Sequence, residues 1–508
     1  MSPRPHSPRP LWWLAATLGT ILPAVAADQP QWGRAWDRNL VSAERGLPDH
    51  FDPTNGTNVK WTAELGTETY SSPIVANGRV YISTNNEHPR DPNRTGDRGV
   101  LLCLDEKDGH LIWQHAVPKR ELDPYYDWPK TGMSSPVTVE GHRVYQVNNR
   151  GEVVCLDDRG MANGNDGPFL DEGRYLQPRT KDGTQTNSTV GPLDADILWT
   201  FNLTAEVGIW SHDGAHASIL IDGDFLYLNT GTGVDNTHRV IRTPDAPSLV
   251  VLDKRTGKLL AREREGIAPN IFHCTWSSPA LGKVGGHRTL VFAGGNGVVY
   301  GFEPLSKRPP EGTVLTLQKR WQLEFDSDHP PGDIHGFLSN RREGPSNIYG
   351  MPVLDDGRIY VAGGGDWFWG KNQSWLKCLS FPGGKSEVAP TIQWSRAIGR
   401  HTMSTPAISQ GRIYVTDSQY ALHCIRQSDG EVLWTHDLGG EMWASALVAD
   451  GKVYVGTRRG TLWVLRDAPS REVISRVDLP APINSTVTAA NRTLYVTTMS
   501  RIYAVSRN

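Results

Sequence analysis

The sequence predicts an all-β fold, an eight-bladed β-propeller of four-stranded antiparallel blades. Three observations predict it: a recurring segment, a β-hairpin signature inside it, and unmatched strands at the two ends. The segment pairs small residues and usually Pro with an apolar run, then Gly-Arg/Lys-Val/Ile-Tyr. It reads YSSPIVANGRVY from Tyr70, MSSPVTVEGHRVY from Met133, YGMPVLDDGRIY from Tyr349, MSTPAISQGRIY from Met403 and WASALVADGKVY from Trp443. Looser copies begin at His216, Trp276 and Asn484, making eight. The last copies are about 40 residues apart, the period of a propeller blade.

Each copy holds two apolar strands around a tight Gly, Asn or Asp turn, which reads as a hairpin. A third strand and a second turn usually follow, as in LLCLDEKDGHLIW ending at Trp113 and LHCIRQSDGEVLW ending at Trp434. A four-stranded unit cannot bury both faces alone, so eight must pack around an axis. The ends favour a ring over a solenoid. The last copy stops at IYAVSRN without a closing Trp strand, whereas an orphan strand, NVKWTAEL with Trp61, precedes the first. Pairing the two completes the eighth blade and removes two sheet edges.

The amino terminus carries Arg4 and Arg9, an apolar stretch from Leu11 to Ala26, and Ala24-Val25-Ala26. This is read as a secretory signal over residues 1–27, followed by an extension over 28–57 and the propeller over 58–508. The apolar stretch is too short for a preferred membrane anchor. A periplasmic or secreted monomer with no membrane span is expected. The formal net charge of −3 gives no basis for nucleic-acid binding.

Cys103, Cys155, Cys378 and Cys424 occupy one place in their repeats, just before the third-strand turn. Equivalent positions lie on different sheets, so these are read as small apolar core residues and no disulfide framework is expected. Trp61, Trp113, Trp199, Trp321, Trp394 and Trp434 recur at blade ends and are assigned to packing between blades.

These repeats resemble the pyrroloquinoline-quinone-like (PQQ-like) propeller repeats, most clearly in Cys103, Asp105, Gly109 and Trp113. Gln31 to Pro48 is similar to an extension common in exported bacterial propellers of this group. The resemblance implies two function classes: quinoprotein alcohol or sugar dehydrogenases, and a non-enzymatic outer-membrane assembly lipoprotein with its relatives. The chain has no vicinal Cys pair of the kind that covers the quinone in alcohol dehydrogenases of this group, and no Cys before Cys103 for lipid attachment.

Insertions concentrate on one face of the disc. The connections between second and third strands are long in blade 1 (Asn85 to Gly99), blade 3 (Val234 to Pro247) and blade 5 (Gly363 to Ser374). The links from blades 1, 2 and 4 to the next blade are long as well. Loops on a rigid scaffold are where function usually sits. Aligning the inner strands places Tyr70, Met133, His216, Trp276, Tyr349, Met403, Trp443 and Asn484 at the axial mouth of that face. Two residues earlier, on the same side of each strand, stand Glu68, Asn347, His401 and Glu441 among others. An aromatic ring with a few polar groups suits a small polar or planar ligand.

The favoured reading is a binding module for a carbohydrate or quinone-like molecule, or for an envelope protein, through this mouth. His216, Trp276, Asn347, Tyr349, Arg400 and Trp443 would contact the ligand. The alternative is a PQQ-dependent dehydrogenase with Ca²⁺, in which Glu68, Glu441 and His401 would be catalytic. PQQ carries three carboxylates, so that site needs cations; Arg400, Lys130 and the Arg-rich loops are the candidates. Asp366 to Trp369 (DWFW) reads equally as a stacking platform or as loop packing. His212, Asp213, His216 and His273 invite a metal reading, but on a loop the spacing in HDGAH fixes no geometry. No metal ligand is assigned from sequence.

Overall fold

The computed structural model describes residues 1, 27–119, 129–178, 186–212, 216–328, 333–337, 342–367, 371–384 and 388–507. Residues 2–26 of the proposed signal lie outside them, as do Asp213, Phe368 and Trp369. Eight antiparallel sheets follow one another along the chain and form the blades. Blade 1, for instance, runs Ile74–Ala76, Arg79–Asn85, Arg98–Asp105 and Leu111–Pro118 from the axis outward. The ring closes as the sequence predicts. Val59–Glu64 pairs antiparallel with Arg501–Val505, with Trp61 opposite Ala504. One blade departs from four strands: Leu315–Thr316, from the insertion in blade 4, pairs in parallel with the outer strand of blade 3. Among the described residues no helix is long and apolar enough to cross a membrane.

A row of Tyr, Cys and Trp crosses the sheet in several blades. Tyr81 stands opposite Cys103 and Cys103 opposite Trp113, and the same row recurs as Tyr145, Cys155, Trp199 and as Tyr414, Cys424, Trp434. The indole then reaches the next blade. Trp61 Nε1 donates to Glu106 O at 3.0 Å, Trp113 Nε1 to Asp158 O at 2.9 Å and Trp434 Nε1 to Ala468 O at 3.0 Å. The receiving turn needs glycine. Gly109 has φ 78°, and a Cβ there would lie 2.5 Å from the Trp61 ring. Between every two neighbouring blades the apolar side chains of both sheets merge into one layer, so the core is a ring of eight seams.

All five cysteines are buried, and none forms a disulfide. Burial pushes the thiol pKa up to about 11 at Cys378 and to about 12 at Cys155 and Cys424. A thiol reagent at neutral pH needs access and thiolate, so native protein should take up no label at any of the five. Full labelling after denaturation is the control. Rapid native labelling at Cys103, Cys155, Cys378 or Cys424 would contradict the blade packing.

The inner strands are shorter than the repeats suggest. Only three residues pair in most of them, and the small-small-Pro segment ahead is not strand. The reason is crowding at the axis, where these segments bond to one another around the ring. Ser445 Oγ accepts from Thr405 N at 2.9 Å and Thr405 Oγ1 from Met351 N at 2.9 Å. Ser72 Oγ accepts from Thr486 N at 3.1 Å, and Ser278 Oγ from Ser218 N at 2.9 Å. The motif thus supplies a hydroxyl at the tight centre, where only small side chains fit.

The extension over 28–57 is built into the ring rather than trailing from it. Residues 29–42 form a strap over the axial end opposite the loop-rich face, and it bonds one residue of every inner strand. Gln29 exchanges backbone bonds with Val75 (2.9 and 3.0 Å), and Pro30 O accepts from Val139 N at 2.8 Å. Trp36 Nε1 donates to Ile221 O at 2.9 Å, while Trp36 O accepts from Leu281 N at 2.8 Å and Asp37 O from Leu354 N at 3.0 Å. The Asn39 amide bonds both Ile408 N and Ile408 O; Leu40 and Ser42 bond Val448, and Ser42 Oγ reaches Ala489 O. Arg38, wholly buried, donates to the carbonyls of Pro279 and Ser218. Inner strands of a propeller have one open edge each, and the strap answers all eight.

Candidate functional site

Above the strap the axis opens into a cavity of about 170 Å³. Its floor is Trp32 with hydroxyl side chains of the central ring, among them Ser72, Ser134, Ser445 and Thr486. Aromatic groups wall it from two sides. Tyr70 of blade 1 and Trp443 of blade 7 stack, with centroids 5.9 Å apart and planes at 25°. Across the axis His216, Trp276 and Tyr349 of blades 3, 4 and 5 form a second cluster, with Trp276 4.5 Å from His216 and 5.3 Å from Tyr349. Met403 and Asn484 fill the gaps.

The residues expected at the mouth sort by distance from this cavity. His216, Trp276, Tyr349 and Trp443 line it. Glu68 and Glu441 stand behind the first wall: Tyr70 Oη donates to Glu68 at 3.1 Å and Trp443 Nε1 to Glu441 at 2.7 Å. Arg458 lies 3.9 Å from the Trp443 ring and 3.8 Å from Glu441, so the carboxylate fixes both partners of a cation–π pair. Asn347 is buried beneath Tyr349, where its side chain accepts from Ile348 N and its backbone pairs with Gly364. His401 is away from the cavity lining. It bonds Gly365 O (3.0 Å) and Asn372 (3.2 Å) and packs against Trp367, which gives part of the DWFW segment a packing role. Arg400 is exposed, and Lys130 pairs with Glu87 at 2.7 Å. No Arg or Lys is among the described residues lining the cavity.

The inner alignment treats these segments as strand, in which residues two apart share a face. The segments bearing Glu68 and Glu441 are not strand, and each acid turns back on the aromatic two residues on. Trp32 could not have been placed from sequence, because nothing in the repeat pattern says that the extension crosses the axis.

A second constellation lies beside the far wall. His212 and His273 face each other with their Nε2 atoms 2.7 Å apart, and His238 lies 4.9 Å from each ring. Candidate ligand atoms of the three lie within 4.8 Å of one another. His212 and His273 come from the links into blades 3 and 4, whereas His238 comes from the long loop of blade 3. His216 points to the cavity instead. Asp366 accepts from His273 Nδ1 at 2.7 Å and also from Tyr349 Oη. Burial, with the Asp366 carboxylate beside it, holds the Tyr349 phenol well above its ordinary pKa. The sequence could flag two of the histidines but not His238, which has no motif spacing to either.

Comparison with known proteins bears on fold and repeat. The family model described as outer membrane protein assembly factor BamB matches residues 97–162 and 387–468. Among solved structures, BamB from Moraxella catarrhalis aligns with a TM-score of 0.52 at 14% identity, covering 88% of this chain and 98% of that one. The computationally designed Ika8 protein (TM-score 0.48, 10% identity, 88% and 99% covered) and a europium-containing methanol dehydrogenase (0.46, 12%, 93% and 89%) are more distant. No curated protein matches the chain. The family model thus matches two stretches of the chain, and the closed propeller fold is one that the chain shares with BamB.

Proposed function

We propose that the protein is an exported binding module that holds a small, flat and largely uncharged ligand, such as a carbohydrate or a quinone-like ring, in the axial cavity. The observation carrying this reading is the pair of opposed aromatic walls over a floor of hydroxyls. Aromatic faces stack on sugar or quinone rings, and fixed hydroxyls orient them. The site is supported from behind by Glu68 and Glu441, which restrict the rings before a ligand arrives and so lower the cost of ordering them.

The dehydrogenase alternative finds less support. The described lining offers no cation for a tricarboxylate, and the nearest acids are engaged in holding Tyr70 and Trp443. PQQ would therefore meet aromatic rings and hydroxyls where it needs guanidinium or ammonium groups. The discriminating experiment is a thermal-shift screen of monosaccharides, quinones, and PQQ with Ca²⁺, followed by dye reduction with sugars and alcohols. We expect stabilisation by a neutral ring compound and no dye reduction. PQQ-dependent turnover would overturn the binding reading.

A further inference from the structure

We propose that His212, His238 and His273 bind one divalent transition-metal ion, zinc foremost, at the rim of the axial cavity. The site stands whether or not the cavity holds a ligand. Its first support is the direction of the imidazoles. His212 Nδ1 donates to the Val234 carbonyl at 2.6 Å, and His273 Nδ1 donates to Asp366 at 2.7 Å. His238 Nδ1 lies 3.2 Å from the Asn236 carbonyl. Metal-binding histidines are held in this way, with one ring nitrogen anchored on a carbonyl or carboxylate and the other turned to the ion.

The second support is a conflict within the pair. A carbonyl only accepts, so His212 carries its proton on Nδ1; Asp366 makes the same demand of His273. Neutral rings so anchored point two lone pairs at each other across 2.7 Å. A cation between them removes the conflict. Tetrahedral zinc, at about 2.0–2.1 Å from each nitrogen, would open the gap to about 3.3 Å.

The frame is built for the purpose of holding the rings close. His212 and His273 are 0% and 1% exposed. Their segments are tied by backbone bonds from His212 N to Gly231 O, Gly233 N to Trp210 O and Val234 N to His273 O. A Cβ on Gly233 would lie 2.6 Å from the His273 carbonyl and 2.9 Å from the His212 Cβ, so a larger residue would force the segments apart. His238 reaches the pair from a left-handed turn of the blade 3 loop, φ 58°. Three neutral nitrogens suit zinc or copper(II) rather than calcium or magnesium. They leave a coordination position for water or for a molecule in the cavity, because Trp276 and Tyr349 both line the cavity and contact His273.

The test uses tag-free protein stripped with a chelator, titrated with Zn²⁺ by calorimetry, and with Co²⁺ by visible spectroscopy. We expect a single equivalent of Zn²⁺ and a tetrahedral Co²⁺ spectrum. Asp366→Asn should weaken Zn²⁺ binding by about 10–100-fold, as losing an anchoring partner does elsewhere. His238→Ala should weaken it by at least as much while the metal-free protein melts as the wild type does, since that ring is only half-buried. Substoichiometric binding to the stripped wild type would overturn the proposal. So would equal affinity in His238→Ala, or a protein in which the pair merely shares a proton and takes up no metal.

Discussion

Protein that begins at Gly46 should melt at least roughly 10 °C below protein that begins at Ala27, or show no cooperative transition. The shortened chain keeps every blade and the closing strand Val59–Glu64, but loses the strap. Eleven hydrogen bonds from residues 29–42 to the inner strands go with it. At about 1 kcal/mol net apiece they amount to much of the ~5–15 kcal/mol that usually separates folded from unfolded states. Losing Arg38 adds the carbonyls of Pro279 and Ser218 to the groups left unanswered. A further truncation to Leu65 removes the closing strand and should abolish folding. Equal melting temperatures for the Ala27 and Gly46 starts would show that the strap is only draped over the ring.

Trp443→Ala should raise the Kd of the best ligand from the screen about 30-fold or more, with little change in melting temperature. Truncating a buried Trp anchor costs about 2 kcal/mol or more, and 1.4 kcal/mol is a factor of ten. The residue is half-buried at the mouth and is not part of any seam between blades, so folding should not depend on it. Glu441→Gln keeps an acceptor for Trp443 Nε1 but gives up the charge facing Arg458, and a smaller loss is expected. His401→Ala should show the reverse pattern. Its bonds to Gly365 and Asn372 brace the link between blades 5 and 6, so stability should fall while affinity holds. Isothermal calorimetry and melting curves on the three variants separate the roles. Unchanged affinity in Trp443→Ala would place the ligand elsewhere.

What could be read from the sequence follows from which interactions are periodic. The Tyr-Cys-Trp row, the turn glycines and the missing outer strand of the last copy each repeat or fail to repeat at a fixed offset, and they define the blades and the closure. The aromatic residues at the mouth also share one offset, which is why Trp276, Tyr349 and Trp443 could be named together. Contacts made once were invisible. Trp32 enters the floor because the strap happens to cross below it, and His238 joins His212 and His273 through a loop of blade 3 with no counterpart in other blades. A strand would have aimed Glu68 and Glu441 into the channel; irregular backbone at the crowded axis turns each onto its own aromatic neighbour.

The pairing of Trp61 with Ala504 joins residues from opposite ends of the chain. In a chain made from its amino terminus, Val59–Glu64 is among the first strands to emerge, yet its partner Arg501–Val505 is among the last. The first strand must therefore wait, unpaired, through the synthesis of seven blades. Contacts of such sequence separation are slow to form, and an unpaired strand in the interval invites pairing with other chains. Once latched, the same arrangement works in the protein's favour. No blade can peel away without parting from neighbours on both sides, so the folded ring should persist through a high barrier to unfolding rather than through equilibrium stability alone.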